Sequence, residues 1–263
     1  MKIHCRNITH NFDKSSVFNG VSLRPEEIKK QIYAEPAAVF GFLREEDYET
    51  RLVAFDAYID LLGEDEHAGG TISDFVEIVA LELIPQMAES RDALQLAALS
   101  HILASIGGFA VDMANPSPLV GLIEVILSLR NHTNIRVATS AIMCLGMIFK
   151  AMPEEMSESR ARSLLEMLSS ASPLILQASA KAWGEICTSA PKKSAIASAR
   201  MFELLQHEGR DVRLDALGFF LTLARQIPAE CSFALPLLRE IRDSDPDNEV
   251  AERASATIQA ISR

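Results

Sequence analysis

The sequence predicts an all-α protein, an α-solenoid of about six stacked helix pairs. Three observations lead there. Pro116, Pro153, Pro191 and Pro228 follow one another at spacings of 37, 38 and 37 residues, each between two apolar stretches of helical period. A second series, Ile135, Ile175, Val212 and Val250, recurs at spacings of 40, 37 and 38. Strand signals are nearly absent, because β-branched runs never alternate with polar residues for long.

Each element follows from these landmarks. Proline fits a first helical turn and is excluded from later ones, so the proline series marks helix starts. From each member of the second series, small or apolar residues recur at +4, +7, +8 and +11. From Ile175 these are Ser179, Ala182, Trp183 and Ile186; from Val250 they are Ala254, Thr257, Ile258 and Ile261. That spacing is one face of a 3.6-residue helix, and a small residue at +4 lets two helices approach closely. Leu94 and Leu52 extend the series backwards and open helices over 94–106 and 52–62. Partner helices precede them at 28–43, 73–88, 117–130, 157–169, 194–206 and 229–242, across polar turns. Pro85 and Pro236 fall inside two of these partners and predict kinks. Gly69-Gly70 and Gly107-Gly108 read as loop tips or helix stops, and 109–118 as a longer connection. Residues 1–22 have no clear period and read as an N-terminal arm or tail, with 23–263 as a single repeat domain.

A period of 37–42 residues with two helices per unit is that of HEAT and armadillo arrays. The stretches Asp211-Val212-Arg213…Ala216 and Asn134-Ile135-Arg136…Gly146 resemble the HEAT family, which places Asp or Asn, Val or Ile, and Arg at the start of the second helix. The likeness covers about residues 25–263, with Leu176 and Ala251 replacing the arginine in two repeats. It implies a stack about 60 Å long, since a single pair cannot bury its own apolar stripe and leans on its neighbours. First helices then form a convex face, second helices a concave one, and the intra-repeat turns one edge. Six repeats and the segment Asp47-Tyr48-Glu49-Thr50-Arg51-Leu52 are also similar to TOG domains, HEAT arrays that bind tubulin through their turns; Tyr48 stands where that family more often has Trp.

Composition narrows the function. Twenty-five basic and 36 acidic residues leave a formal charge of −11, the wrong sign for displacing counterions from nucleic acid. Residues 45–92 hold fourteen acidic and two basic residues, a field that favours a basic or extended partner segment. No apolar run reaches the roughly 18 residues of a membrane span. The start of the chain lacks a signal-peptide core, and the four cysteines form no C-x-x-C pair, so a cytoplasmic protein with reduced thiols is expected, with nuclear or cytoskeletal placement as variants.

Catalytic motifs are missing, so no enzyme activity and no cofactor is expected. Ser189-Ala190-Pro191-Lys192 fits S-x-x-K but falls on a repeat boundary. Asp243-Ser244-Asp245-Pro246-Asp247-Asn248 begins like a calcium loop yet lacks its glycine and final glutamate, and helix capping explains it better. His4, Cys5 and His10 lack a nearby fourth ligand for zinc. Trp183 reads as core rather than surface anchor, and Met143, Met147, Met152, Met156 and Met167 as repeat filling rather than an adaptable groove. The expected activity is a non-catalytic scaffold holding a protein partner. Its candidate binding residues lie on the turn edge and second helices: Tyr48, Arg91, Asn131, His132, Arg136, His207, Arg210 and Arg213. Arg136 and Arg213 are further expected to pair with turn acids in a ladder. The alternatives are a tubulin-binding array and a subunit docking through its last repeat, where Ile258 and Ile261 lie close to residue 263.

Overall fold

A computed structural model describes residues 16–18, 21–64 and 69–263. The candidate ligands His4, Cys5 and His10, and most of the expected arm, lie outside the described residues. The chain divides into two compact units, the first ending at Ile78 and the second running from Val79 to Arg263.

The first unit opens with a small hairpin. Strands β1 (Ser16–Phe18) and β2 (Val21–Leu23) pair antiparallel, with Ser16 opposite Leu23. Helix α1 (Pro25–Ala34) starts on a proline, and the Arg24 backbone N–H donates to the Glu27 carboxylate at 2.7 Å. That bond and the Arg24 guanidinium hold Glu27 below the usual carboxylate range. Pro36 stops α1, so the expected single helix over 28–43 is broken into α1, a 3₁₀ turn at Pro36–Ala38 and α2 (Val39–Phe42). Both helices pack on α3 (Tyr48–Glu64) through Ile28, Ile32, Val39 and Phe42. Asp47 caps α3 by accepting from the Thr50 N–H at 3.0 Å and the Thr50 hydroxyl at 2.8 Å. Helix α4 (Gly69–Ile78) places the Phe75 ring 4.5 Å from Tyr58 and 5.6 Å from Phe55. Gly69-Gly70 thus opens a helix instead of forming a loop tip.

The second unit begins with a π-helical stretch, Val79–Leu83, leading into α5 (Ile84–Ala88). Pro85 sits in the first turn of α5, directly after this stretch, so the interruption expected at the proline takes the form of a wide turn. The wide i→i+5 turn before it absorbs the hydrogen bond that proline cannot donate. Helix α6 (Ala93–Asp112) runs straight through Gly107-Gly108, correcting the expected stop there and shortening the connection that follows. A Cβ on Gly107 would lie 3.2 Å from the Cys144 Cα, so that glycine serves packing and not chain reversal. By length and composition α6 could cross a bilayer, with a mean hydropathy of 1.6 in its most apolar window. The sequence predicts a shorter helix here, ending at 106. Here the helix packs on α5 and α8, burying Leu96, Leu99, Ile102, Leu103 and Ile106.

The remaining elements are α7 (Ile123–Ser128), α8 (Ile135–Ala151), α9 (Glu158–Glu166), α10 (Pro173–Ser189), α11 (Pro191–Ser194), α12 (Ser198–Leu204), α13 (Arg210–Gln226), α14 (Leu235–Ser244) and α15 (Asn248–Ile261). The second helices are unbroken and stack in order: α6 on α8, α8 on α10, α10 on α13, α13 on α15. The partner helices mix α and 3₁₀ turns. Ser117–Leu122, Met167–Ser169, Ala195–Ala197 and Pro228–Ala234 are 3₁₀. Pro236 therefore falls in the first turn of α14, after a 3₁₀ segment, and not in a helix interior. The proline series holds its place: Pro153, Pro191 and Pro228 each open an element, and Pro116 caps one. Trp183 is fully buried, and so are Met152 and Met156, while Met143, Met147 and Met167 are half-buried. Cys144, Cys187 and Cys231 are free and buried, and burial pushes the Cys187 and Cys231 thiols up to about 12. At the end of α15, Ile261 is buried and Ile258 half-buried.

Candidate interaction surface

The turns of the second unit share one construction. In each, a side chain accepts the backbone N–H two residues on, at the residue that starts the second helix. Ser90 accepts from Asp92 (3.0 Å), His132 from Asn134 (3.0 Å), Ser170 from Ser172 (3.2 Å), His207 from Gly209 (2.9 Å) and Asp245 from Asp247 (2.9 Å). Asp92, Asn134 and Asp247 then cap their helices with their own side chains. His132 and His207, expected on a binding edge, thus use Nδ1 as a structural acceptor. Because Nδ1 of His132 accepts, its Nε2 carries the proton and donates to the Ala88 carbonyl at 2.9 Å, tying this turn to the one before it.

The arginines divide into two groups. Arg213 is held inside the turn: Nη1 donates to the carbonyls of His207 (3.0 Å) and Glu208 (2.9 Å), and the guanidinium pairs with Asp245 at 2.9 Å. The side chains of Arg213 and Asp245 are only 12% and 7% exposed, so this is the ladder contact the sequence predicts. Arg51, four residues after its cap as Arg213 is, also reaches back, to the Glu46 carbonyl at 3.3 Å; burial lowers its pKa. Arg210 bridges to the next turn, donating to Asp247 at 2.7 Å, to Asp211 at 2.9 Å and to Glu249. Its pKa is raised by Asp247 and then Asp211, while Asp247 is held low by Arg210 and the Val250 N–H. Arg136 does not join any ladder. It is exposed, as are Arg91 and Asn131, and none of the three has a side-chain hydrogen bond or ion pair among the described residues. Tyr48, in the first unit, is half-buried with its hydroxyl donating to Glu49 at 3.3 Å.

Replacing Arg213 with methionine strands the Asp245 carboxylate. We expect a cost of about 3 kcal/mol from the uncompensated buried charge, seen as a lower urea midpoint, with R213M/D245N recovering part of it.

Beside these turns lies a feature the sequence reading misplaced. Leu94 (58% exposed), Ile135 (37%) and Leu174 (54%) stand in the first turns of three successive second helices, α6, α8 and α10. Leu94 and Ile135 were expected to begin the buried stripe. The inward position is instead three residues after the cap, as at Val137, Ile175, Val212 and Val250, all buried. Leu94 and Ile135 fall one or two positions short of it and face water. Anchoring on the cap residue, rather than on the first apolar residue, would have separated the two sets.

Comparison with solved structures gives the architecture independently. A designed armadillo repeat protein in complex with a peptide (KR)4 aligns with a TM-score of 0.61 at 16% identity, over 86% of this chain and 99% of its own. An engineered protein gives 0.59 at 18%, over 89% and 96%. A computationally designed armadillo repeat protein for modular peptide recognition gives 0.57 at 17%, over 86% and 98%. The fold is an armadillo/HEAT-type α-solenoid. No protein-family model and no curated protein matches the chain.

Across the second helices of the solenoid runs a second polar row. Lys150 on α8 pairs with Glu185 on α10 at 2.7 Å, and Lys181 on α10 lies 3.9 Å from Asp215 on α13. Asp215 is the strained member. Its Oδ2 is buried with no hydrogen-bond donor among the described residues, and burial raises its pKa from 3.8 to about 6 against the pull of Lys181. The folded solenoid therefore keeps this proton between about pH 4 and 6, where the unfolded chain releases it, so the contribution to stability is lost as pH rises through that window. D215N is expected to raise the melting temperature at pH 7 and to flatten its fall between about pH 4 and 6.

The calcium-like segment is fully engaged as structure: Asp243 pairs with Arg242, Asp245 with Arg213 and Asp247 with Arg210. Among the described residues no group of three His, Cys, Asp or Glu side chains is placed to hold a metal. A shallow cavity of about 480 Å³, lined by Lys192, Ala195, Ile227, Pro228, Ala229 and Glu230, contains the lysine of the S-x-x-K match but not Ser189, whose hydroxyl donates to the Ile186 carbonyl at 3.3 Å.

Proposed function

We propose that this solenoid is a non-catalytic scaffold that binds a protein segment along the edge where its turns meet the first turns of the second helices. The observation that carries this is the row Leu94, Ile135 and Leu174, three exposed aliphatic side chains repeated on adjacent helices. Large exposed apolar residues in the first turns of consecutive second helices are what a repeat surface needs to hold an extended chain. Similarity to designed armadillo proteins, one of them solved with a peptide, supports a peptide-like partner. The three buried free thiols fit a reducing compartment, and the proposal places the protein in the cytoplasm.

Selection of a random peptide library on the full chain tests this. Enriched peptides are expected to lose about tenfold or more in affinity on L94S/I135S/L174S, a loss of about 1.4 kcal/mol. Equal binding to both proteins would remove the edge from consideration. Tubulin remains a narrower proposal, resting on Tyr48 and the turn edge, and a size shift with tubulin at low salt is its test.

A further inference from the structure

The charge on this edge is not uniform along the second unit. Turns near α13 and α15 carry Glu208, Asp211, Asp243, Asp245, Asp247 and Glu249, and both of their turn arginines, Arg210 and Arg213, are spent on these carboxylates. The turns before α8 and α10 are the opposite. Residues 129–136 and 167–174 contain no acidic residue at all, in a chain with a net charge of −11. Within this window the Arg136 guanidinium is exposed and has no partner among the described residues, and the same holds for Arg91 on the preceding turn, one residue before the cap of α6. On that turn Asp92 has committed an oxygen to the Leu94 N–H, leaving Glu89 as the one carboxylate there without such a role. The first turn of α10 adds backbone donors, because Ser172 makes no side-chain cap. Asn131 supplies an exposed amide.

Aliphatic side chains and free cations therefore share one strip: Leu94 and Arg91, Ile135 and Arg136, then Leu174 beside open N–H groups. We infer that this strip docks an extended protein segment that interleaves aliphatic residues with carboxylates. The inference rests on the edge reading above and gives it a partner chemistry. Charge complementarity chooses the occupant. An exposed guanidinium with no internal partner gives up no existing ion pair when it meets a carboxylate, whereas a basic segment would bring like charges together over the same apolar row. Size agrees as well. Helices about 10 Å apart put the outer two of three about 20 Å from each other, which an extended chain spans in about six residues. The acidic turns beyond α10 limit the strip at that side, because they repel the carboxylates the strip attracts. This reverses the expectation from overall composition, which favoured a basic partner.

The test is fluorescence anisotropy with the full chain and two labelled synthetic peptides, each about twelve residues long so as to overfill the span. One alternates leucine with aspartate and glutamate; the other has lysine in place of every acid. The acidic peptide is expected to bind and to weaken as salt rises, and R91E/R136E to weaken it about tenfold, with the circular dichroism melt unchanged since both side chains are exposed. Preference for the lysine peptide, or unchanged acidic-peptide affinity in R91E/R136E, overturns the inference. If neither peptide binds, the inference also fails, and the library selection then decides separately whether the aliphatic row binds protein at all.

Discussion

Alanine at Trp183 is expected to destabilise the second unit by about 3–5 kcal/mol, the usual cost of emptying a large aromatic site in a core. Trp183 is 0% exposed, at the centre of α10, which packs on α8 before it and α13 after it. A void there removes contacts from two repeat interfaces at once. The change also deletes the only tryptophan, so unfolding should be followed by far-ultraviolet circular dichroism in urea. Phenylalanine at the same site keeps a ring and removes an indole N–H that has no acceptor among the described residues. W183F should cost less than half as much as W183A. Equal losses from the two would mean that the site is loosely packed.

Gly146 gives the second large effect, from the opposite cause. A Cβ built on it would lie 2.7 Å from both the Cα and the Cβ of Ala182. Neither atom is the end of a flexible side chain, so α8 and α10 must move apart to accept even a methyl group. G146A is expected to cost about 2–3 kcal/mol by overpacking. Gly184, with open space around its missing Cβ, is the control. G184A should be neutral or slightly stabilising, because alanine favours the helix. A melting temperature lowered by G146A and unmoved by G184A would place the close contact where the structure has it.

The architecture was legible because it repeats. Each proline and each apolar landmark is a weak signal alone, and a shared period of 37–40 residues makes them one observation. Trp183, the free cysteines and the Arg213 ladder followed from position within that period. Gly107-Gly108 does not stop the helix, since glycine in an apolar run carries the same letter whether it ends a helix or admits a neighbour; the Cys144 backbone 3.2 Å from the Gly107 Cβ position tells them apart. Pro236 falls at a helix start because the sequence does not announce where a 3₁₀ turn gives way to an α turn just ahead of it. The candidate surface was legible in part. Arg91, Asn131 and Arg136 stand exposed, but His132, His207, Arg210 and Arg213 are occupied by partners that include groups outside their own helix. Which arginine is free depends on whether the next turn offers a carboxylate, and that is a fact of stacking.

The joints between repeats are alike in backbone conformation as well as in sequence. Met152, Ala190 and Ile227 each end a second helix with φ/ψ of −129°/71°, −132°/61° and −137°/68°, each donates its N–H to the carbonyl four residues back, and each is followed by proline. Joints of one geometry are interchangeable. Duplication or loss of genetic material between any two of them would rejoin the chain in a conformation it already uses, so the number of modules in such a protein can drift over generations without a new connection having to be invented.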